Sequence, residues 1–447
     1  MELTDGSRIA VIGGGPAGSF VSYFLLEMAS RIDLEIRVDI YEAKDFSRVG
    51  PQGCNHCGGI VSESLVQMLA AEGINLPPSV VQRGIDSYVL HSDVGTVRID
   101  TPLYERRIAA VYRGSGPLGS QLKGWESFDG YLLELAVGTG AQLIQSRVEH
   151  LTMVEGKPTI HAKGIEPQSY DLLIGAVGVN STGLKLFEGL GFAYKAPKTT
   201  KTFIAEFHFG EEKIREYLGS SMHVFLLKMP RLEFAALIPK GEYVTLCLLG
   251  EDIDKDLVAR FLETPEVRCC FPEEWEKLES ACQCLPKLNM GAVSTPFTDR
   301  VVLIGDSGVT RLFKDGIGAA YRTAKACAVT AIFDGISEKD FRKYYWPACR
   351  NLSVDNSIGK VIFLIVTVAR NLGFFRKGML KMVKKEQAGG DVPRDMSLVL
   401  WDTFTGSAPY REIFVRTLRP SFLFRLTKNV AGALFTRGKI FSREVSS

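Results

Sequence analysis

Arg8 to Ile12 is a short apolar run that ends at three glycines, the pattern of a buried parallel strand. A helical pattern follows from Phe20 to Ala29, and Ile36–Tyr41 reads as the next strand. Similar elements recur far downstream. Ser127–Ala136 has the spacing of an amphipathic helix, and Gly140–Ile144 that of a strand. Tyr170–Gly178 and Arg300–Asp306 are further buried strands ending in small or acidic residues, and a long helix is predicted from Ala319 to about Phe333. Phe234–Leu248 has the alternation of two antiparallel strands around a turn at Pro239–Glu242, with Met222–Met229 as a neighbouring strand.

The glycines after the first strand stand at 13, 15 and 18, with Pro16 and Ala17 between the last two. In this G-x-G-x-x-G spacing Gly13 makes the tight turn, Gly15 lets a pyrophosphate approach the backbone, and Gly18 lets helix and strand pack closely. The helix amino terminus, beginning near Ala17, then faces the phosphates. Glu42 closes the second strand 24 residues after Gly18, where its carboxylate can accept hydrogen bonds from an adenosine ribose. The glycine pattern alone is a weak signal; strand, helix, second strand and acid in the right order strengthen it. At this point FAD and NAD both remain open.

Composition narrows the field. The 447 residues are 46% hydrophobic and 23% charged, as in ordinary globular proteins, and the net charge of +2 offers no global field for nucleic acid. Nine scattered cysteines and an opening MELTDGSR that leads straight into a strand point to a reducing, cytoplasmic setting. Val361–Ala369 is the longest strongly apolar run, well short of the ~20 residues that span a bilayer, so no transmembrane helix is expected. From about Glu338 the chain turns helical, basic and aromatic, as in Phe374–Lys385 and Pro420–Lys428, with a flexible connection at Gln387–Arg394. Arg416, Arg419, Arg425, Lys428, Arg437, Lys439 and Arg443 continue that bias. Such helices can lie in a lipid interface or cap the protein with a solvated basic face.

Arg113 ahead of the Ser127 helix, the string Tyr170–Ser181, Gly305-Asp306 and Lys314-Asp-Gly-Ile-Gly318 complete an order that runs from Arg8 to Phe333. It resembles the flavoprotein family of para-hydroxybenzoate hydroxylase and geranylgeranyl reductase type. The resemblance implies FAD, with Asp306 at its ribityl or pyrophosphate and Gly316, Ile317 and Gly318 opening a helix toward the flavin pyrimidine. It also counts Arg113 among the cofactor-binding residues. Val177-Gly178 departs from the Asp-Gly common at the end of the middle strand in that family.

Pro51–Ser62 (PQGCNHCGGIVS) resembles the Cys-Gly-Gly segment of geranylgeranyl reductases. That resemblance makes Cys57 the catalytic candidate and sets Gly58 and Gly59 against the isoalloxazine, where glycines let backbone approach a flat ring. Cys54 and His56 are possible neighbours. A redox dithiol, half of a zinc site and small packing cysteines are the other readings of Cys54 and Cys57. No second C-x-x-C or paired histidine accompanies them, and no metal is expected. In the substrate hairpin, Ala236 and Ile238 stand where that family has Trp and Phe, so the pocket is expected to stay apolar with a different shape.

The expected fold class is α/β: a Rossmann-type FAD-binding domain interleaved with an antiparallel-sheet substrate domain, plus a helical C-terminal region. The expected divisions are 1–75, 111–185 and 291–335 for the FAD-binding domain, 76–110 and 186–290 for the substrate domain, and 336–447 for the basic helical region. The function implied is reduction of carbon–carbon double bonds in an isoprenoid or other apolar, lipid-like substrate. Because no second glycine motif serves NAD(P)H, a ferredoxin or a transiently bound nicotinamide would supply electrons. Contact with a membrane surface is possible and nucleic acid is not a partner. The alternatives are a quinone-linked dehydrogenase, a flavin monooxygenase and a flavin-binding protein that never turns over.

Overall fold

The computed structural model describes residues 1–101, 108–120, 126–274, 280–291, 293–389, 393–435 and 438–441. Arg437, Arg443 and the centre of the Gln387–Arg394 connection lie outside the described residues.

Ser7–Ile12 sits inside a six-stranded sheet, between Ile36–Tyr41 and Leu172–Gly175. Gln142–Ile144 forms one edge; Val301–Leu303 and then Phe297–Thr298 complete the other. Every pairing is parallel except that of the last two strands. Burial on both faces explains the unbroken apolar run in the first strand. Ile9 and Val11 pack with Phe20, Phe128 and Ala319 from the helices Pro16–Ser30, Phe128–Gly138 and Gly316–Phe333. Ala10 and Ile12 pack on the other side with Val148, Leu151 and Ile160 of a small antiparallel sheet. The first helix starts at Pro16, four residues before the apolar periodicity becomes visible. Proline suits that position because its missing N–H would have no intrahelical partner anyway.

The second large sheet has eight strands in the order Ser280–Cys284, Phe203–His208, Tyr243–Gly250, Leu232–Lys240, Ser221–Phe225, Ser87–Ser92, Gly95–Asp100 and Ile440–Phe441. The predicted hairpin is present, but its first strand continues through Lys240 and the turn shrinks to Gly241-Glu242. Gly241, at φ +52°, makes this tight reversal, so Lys240 can pair directly with Tyr243. The neighbouring strand stops at Phe225, before Met229. One face of the sheet is covered by apolar residues of the helices Glu211–Tyr217 and Lys255–Leu262. The other carries Met222, Val224, Ala236 and Ile238 and is met by Leu380 and Trp401 of the C-terminal helices.

Those helices correct two expectations. Val361–Ala369 belongs to a continuous helical stretch, Glu338–Asn371, that is long and apolar enough to cross a membrane by length and composition alone. Interspersed polar residues hid this from a search for unbroken apolar runs. Only 22% of its most apolar window is buried. Gly359 and Phe363 pack against Tyr410, while Leu364, Ile365 and Val368 face outward. The basic face is also smaller than expected. Arg416 pairs with Asp402 and Glu412, Arg425 with Asp395, and Lys439 with Glu266. Arg419 and Lys428 remain exposed.

Candidate functional site

The glycine turn lies at the carboxyl end of Ser7–Ile12, where ligands bind in open parallel sheets. Its three glycines have different neighbours. A Cβ at Gly13, whose φ is +106°, would run into the Ala176 carbonyl, and one at Gly18 into the Gly13 carbonyl. At Gly15 the nearest atom is the Asn55 Nδ2, at 3.4 Å. Gly13 and Gly18 therefore serve packing, and Gly15 leaves a place where a ligand can lie against backbone. The first-turn amides of Ala17 and Gly18 have no intrahelical acceptors and add partial positive charge there. Glu42 accepts hydrogen bonds from the Gly14 and Lys44 amides, both at 2.8 Å, which fix its carboxylate beside the turn with acceptor capacity to spare.

Asp306 reaches the same region from Val301–Leu303. Gly305, at φ +59°, lies so close to Ala17 that an added Cβ would stand 2.8 Å from the alanine's own. Burial raises the proton affinity of the Asp306 carboxyl, and nearby Arg113 lowers it in part. Gly316, Ile317 and Gly318 form the first turn of Gly316–Phe333. Beside them Asp315, left-handed at φ 49°, packs its carboxylate against Gly318 and binds Arg311 at 2.8 Å and Arg322 at 3.0 Å.

Arg113 ties the cysteine loop to this frame. Its guanidinium grips Asp129 in two-pronged fashion, with Nη2 to Oδ2 at 2.9 Å. Burial opposes the Arg113 charge, but Asp129 and the neighbouring cysteines together raise the guanidinium's proton affinity. Asn55 donates to the same Asp129 and accepts from Lys44 Nζ at 2.9 Å, and Lys44 also binds the Cys54 carbonyl. The loop is thereby fastened both to Arg113 and to the segment carrying Glu42. At its far end Gly59, at φ +68°, admits no Cβ, which would strike the Val111 carbonyl. A Cβ at Gly58 would stand 3.0 Å from Cys247 Sγ. The Cys-Gly-Gly segment is thus wedged between the strand Ile108–Val111 and the substrate hairpin; Gly59 is required by contact, and Gly58 is tightly packed.

A small cavity of about 40 Å³ opens beside this loop, lined in part by Cys54, His56, Cys57, Tyr112, Arg113, Glu206, Lys240, Cys282 and Cys284. Its wall is mainly apolar, as expected, with one polar addition. Ile238 is apolar and buried as expected, but Glu206 and Lys240 place a buried ion pair on the cavity, Nζ to Oε1 at 3.9 Å. Thr245 Oγ1 donates to the Glu206 carboxylate at 2.8 Å, and the Lys240 ammonium lies 5.1 Å from the Tyr112 ring centre. Burial raises Glu206 above the ordinary carboxyl range, partly offset by Lys240 and Thr245. Burial also pushes Cys282 up to about 11 and Cys284 up to about 12, raises Cys54, and lowers His56. These three thiols therefore hold their protons at neutral pH, and Cys54 and Cys57 are both unbridged.

Gly15 faces Asn55 of the cysteine loop, Gly305-Asp306 lies against Ala17, Glu42 holds the glycine turn, and Cys57 and Arg113 share one cavity. Four participants escaped sequence reading: Asn55, Asp129, Glu206 and Lys240. Asp129 resembles an ordinary first-turn acid behind the cap Ser127. The available signal for Glu206 was a single carboxylate in the apolar strand Phe203–His208.

No protein-family model and no curated protein matches the chain. Its fold is shared with solved flavoproteins. A geranylgeranyl bacteriochlorophyll reductase-like protein from Thermoplasma acidophilum aligns over 95% of this chain and 100% of its own, at 15% identity and a TM-score of 0.63. A flavoprotein/dehydrogenase from Cytophaga hutchinsonii aligns over 96% and 100%, at 14% identity and 0.62. A triple mutant of the flavin-dependent brominase Bmp2 aligns over 91% and 98%, at 15% identity and 0.59.

Proposed function

We propose that the protein is an FAD-dependent oxidoreductase that reduces carbon–carbon double bonds in an isoprenoid or lipid-like substrate. The observation that carries this reading is the Cys57-Gly58-Gly59 segment, held beside the glycine turn by Arg113, Asn55 and Asp129 and opening on the cavity at the substrate sheet. The shared fold with flavoproteins, one of them described as geranylgeranyl bacteriochlorophyll reductase-like, supports it.

The residues present suit FAD. Open backbone at Gly15 and the helix amino terminus accept the pyrophosphate, Glu42 accepts from the ribose, and Arg113, Asp306 and Gly316–Gly318 complete the cradle. Bound FAD, once reduced, supplies a hydride. The chain must deliver a proton to the second carbon, and Cys57, or a water it holds, stands in the cavity for that task. Glu206, kept toward its protonated form by burial, forms the inner store of protons on the same cavity. An isolated alkene has no carbonyl to polarise, so positioning must supply much of the rate. Electrons arrive from a ferredoxin or from nicotinamide bound transiently.

The test is to purify the protein anaerobically, reduce its flavin with dithionite, add a geranylgeranyl lipid and follow both flavin spectrum and product mass. Flavin reoxidation with two hydrogens gained per double bond supports the proposal. A flavin that stays reduced with the lipid but reoxidises with a quinone replaces it with a quinone-linked dehydrogenase.

A further inference from the structure

On the face of the eight-stranded sheet away from the cavity, four metal-ligating side chains converge. Ile204 and Glu206 line the cavity, whereas Ala205 and Phe207 point into the opposite core with Phe225. His223, two residues before Phe225, shares that opposite face. His91 lies on the parallel neighbour Ser87–Ser92, opposite Phe225, and stacks on its ring with centroids 4.8 Å apart. Cys269 and Cys270 follow the short helix Pro265–Arg268 and turn their sulfurs toward the two imidazoles.

The His91, His223 and Cys270 donors are already at metal-site separations, and Cys269 closes on His91 and Cys270 but stands farther from His223. His91 Nε2 and His223 Nδ1 are 3.0 Å apart, and Cys270 Sγ lies 3.3 Å from His223 Nδ1 and 3.6 Å from His91 Nε2. Cys269 Sγ is 4.0 Å from Cys270 Sγ, and the His91, Cys269 and Cys270 donors all fall within 4.8 Å of one another. A tetrahedron with Zn–N and Zn–S bonds of about 2.0 and 2.3 Å has edges of about 3.3 Å between nitrogens and about 3.8 Å between sulfurs. The second shell fits as well. His91 Nδ1 lies 3.3 Å from Thr96 Oγ1, and His223 makes a backbone hydrogen bond at Leu218. Orienting partners of this kind hold ligand imidazoles in place. Three of the residues are buried, and exposed Cys269 provides the way in.

We infer that His91, His223 and Cys270 hold a structural zinc ion, with the exposed Cys269 side chain turning in from the Glu266 carbonyl as the fourth ligand. Binding releases the two thiol protons and joins both sulfurs as thiolates to the metal. The site pins the turn after Pro265–Arg268 onto the two parallel strands, remote from any flavin chemistry. It makes no use of the Cys54-x-x-Cys57 pair.

The experiment uses full-length protein purified without chelators, with elemental analysis and titration of the demetallated protein with Co²⁺. The expected result is about one zinc per chain and, with cobalt, thiolate charge-transfer absorption together with the intense visible bands of tetrahedral Co²⁺. Cys269→Ser, a change at an exposed position, and His223→Gln should each weaken metal retention against a competing chelator at least tenfold. Far-UV circular dichroism checks that each variant is folded. The double variant Cys54→Ser/Cys57→Ser should keep both metal and spectrum. The inference is overturned if wild-type protein takes up no stoichiometric metal, if metal is lost only when Cys54 and Cys57 are replaced, or if mass analysis finds Cys269 and Cys270 joined as a disulfide.

Discussion

Lys240 Nζ stands 3.9 Å from Glu206 Oε1, with side-chain exposures of 1% and 11%, so each is the other's charge partner out of water. Removing one member strands the other. Lys240→Met is expected to lower stability by about 3–5 kcal/mol. The double change Lys240→Met/Glu206→Gln should recover part of that loss. Denaturant unfolding of the two single variants and the double variant measures the coupling.

The pH dependence of Glu206 follows from its raised folded-state proton affinity. Below its ordinary value of about 4.5 the carboxyl is protonated whether folded or unfolded, and it contributes nothing. As pH rises further the unfolded chain ionises first, so this group's contribution becomes steadily more unfavourable until the folded carboxyl has ionised too, and stays at that level above. Wild-type stability should therefore decline relative to Glu206→Gln above about pH 4.5, as read from thermal midpoints across a pH series. If Glu206 supplies protons, turnover should also fall as pH rises through its folded value. Glu206→Gln should lack that limb and turn over slowly at every pH.

Gly15→Ala and Gly18→Ala separate cofactor binding from folding. The first meets only an amide nitrogen at 3.4 Å and should yield folded protein whose FAD affinity is reduced at least about tenfold, or about 1.4 kcal/mol. The second drives a methyl into the Gly13 carbonyl and should lose the folded domain itself. Flavin fluorescence titration and circular dichroism distinguish the two outcomes.

Cys57→Ala should retain flavin, because it removes only the long contact from the Gly59 amide to Cys57 Sγ and leaves the loop's ties to Asp129 and Lys44 in place. Its product formation should fall by about 10²–10⁴-fold if the thiol is the general acid. Reduction of the flavin by dithionite should proceed as in wild type. Rapid-mixing spectroscopy that follows the two half-reactions separately provides the measurement.

Trp401 is fully buried, packs tilted against Tyr88 with ring centres 4.8 Å apart, and donates its indole N–H to Glu63 Oε1 at 3.0 Å. It joins the C-terminal helices to the eight-stranded sheet and to the helix Glu63–Ala71. Trp401→Ala should cost about 3–5 kcal/mol. Trp401→Phe should cost less, since it keeps most of the buried area and forfeits only the hydrogen bond to Glu63. Equilibrium unfolding in guanidinium ranks the two.

Much of the dinucleotide-type fold was legible because its signals are local. A strand buried on both faces is continuous in sequence, and the Gly13, Gly15 and Gly18 spacing reflects contacts within one turn. Cys57-Gly58-Gly59 was visible for the same reason. The Glu206–Lys240 pair was not, because it depends on strand register: Glu206 lies opposite Thr245, and Lys240 ends the hairpin strand beside Tyr243. Nothing near either residue in sequence announces the other. The Glu338–Asn371 helix failed differently, since its apolar character is spread among polar residues instead of being gathered into a run. The histidine–cysteine cluster was the least accessible, with ligands drawn from three separate segments.

The placement of Ser7–Ile12 has a consequence for how the chain is made. Its partner Leu172–Gly175 leaves the ribosome about 160 residues later, and Val301–Leu303 later still. At roughly 5–20 residues per second the first strand waits on the order of ten seconds with one row of amides and carbonyls unpaired. An apolar strand in that condition is a template for pairing with another chain. Nascent chains stalled before Leu172 should therefore aggregate or bind chaperones, and those extended past Leu303 should do so far less. Synthesis itself is the interval in which this fold is most exposed to error.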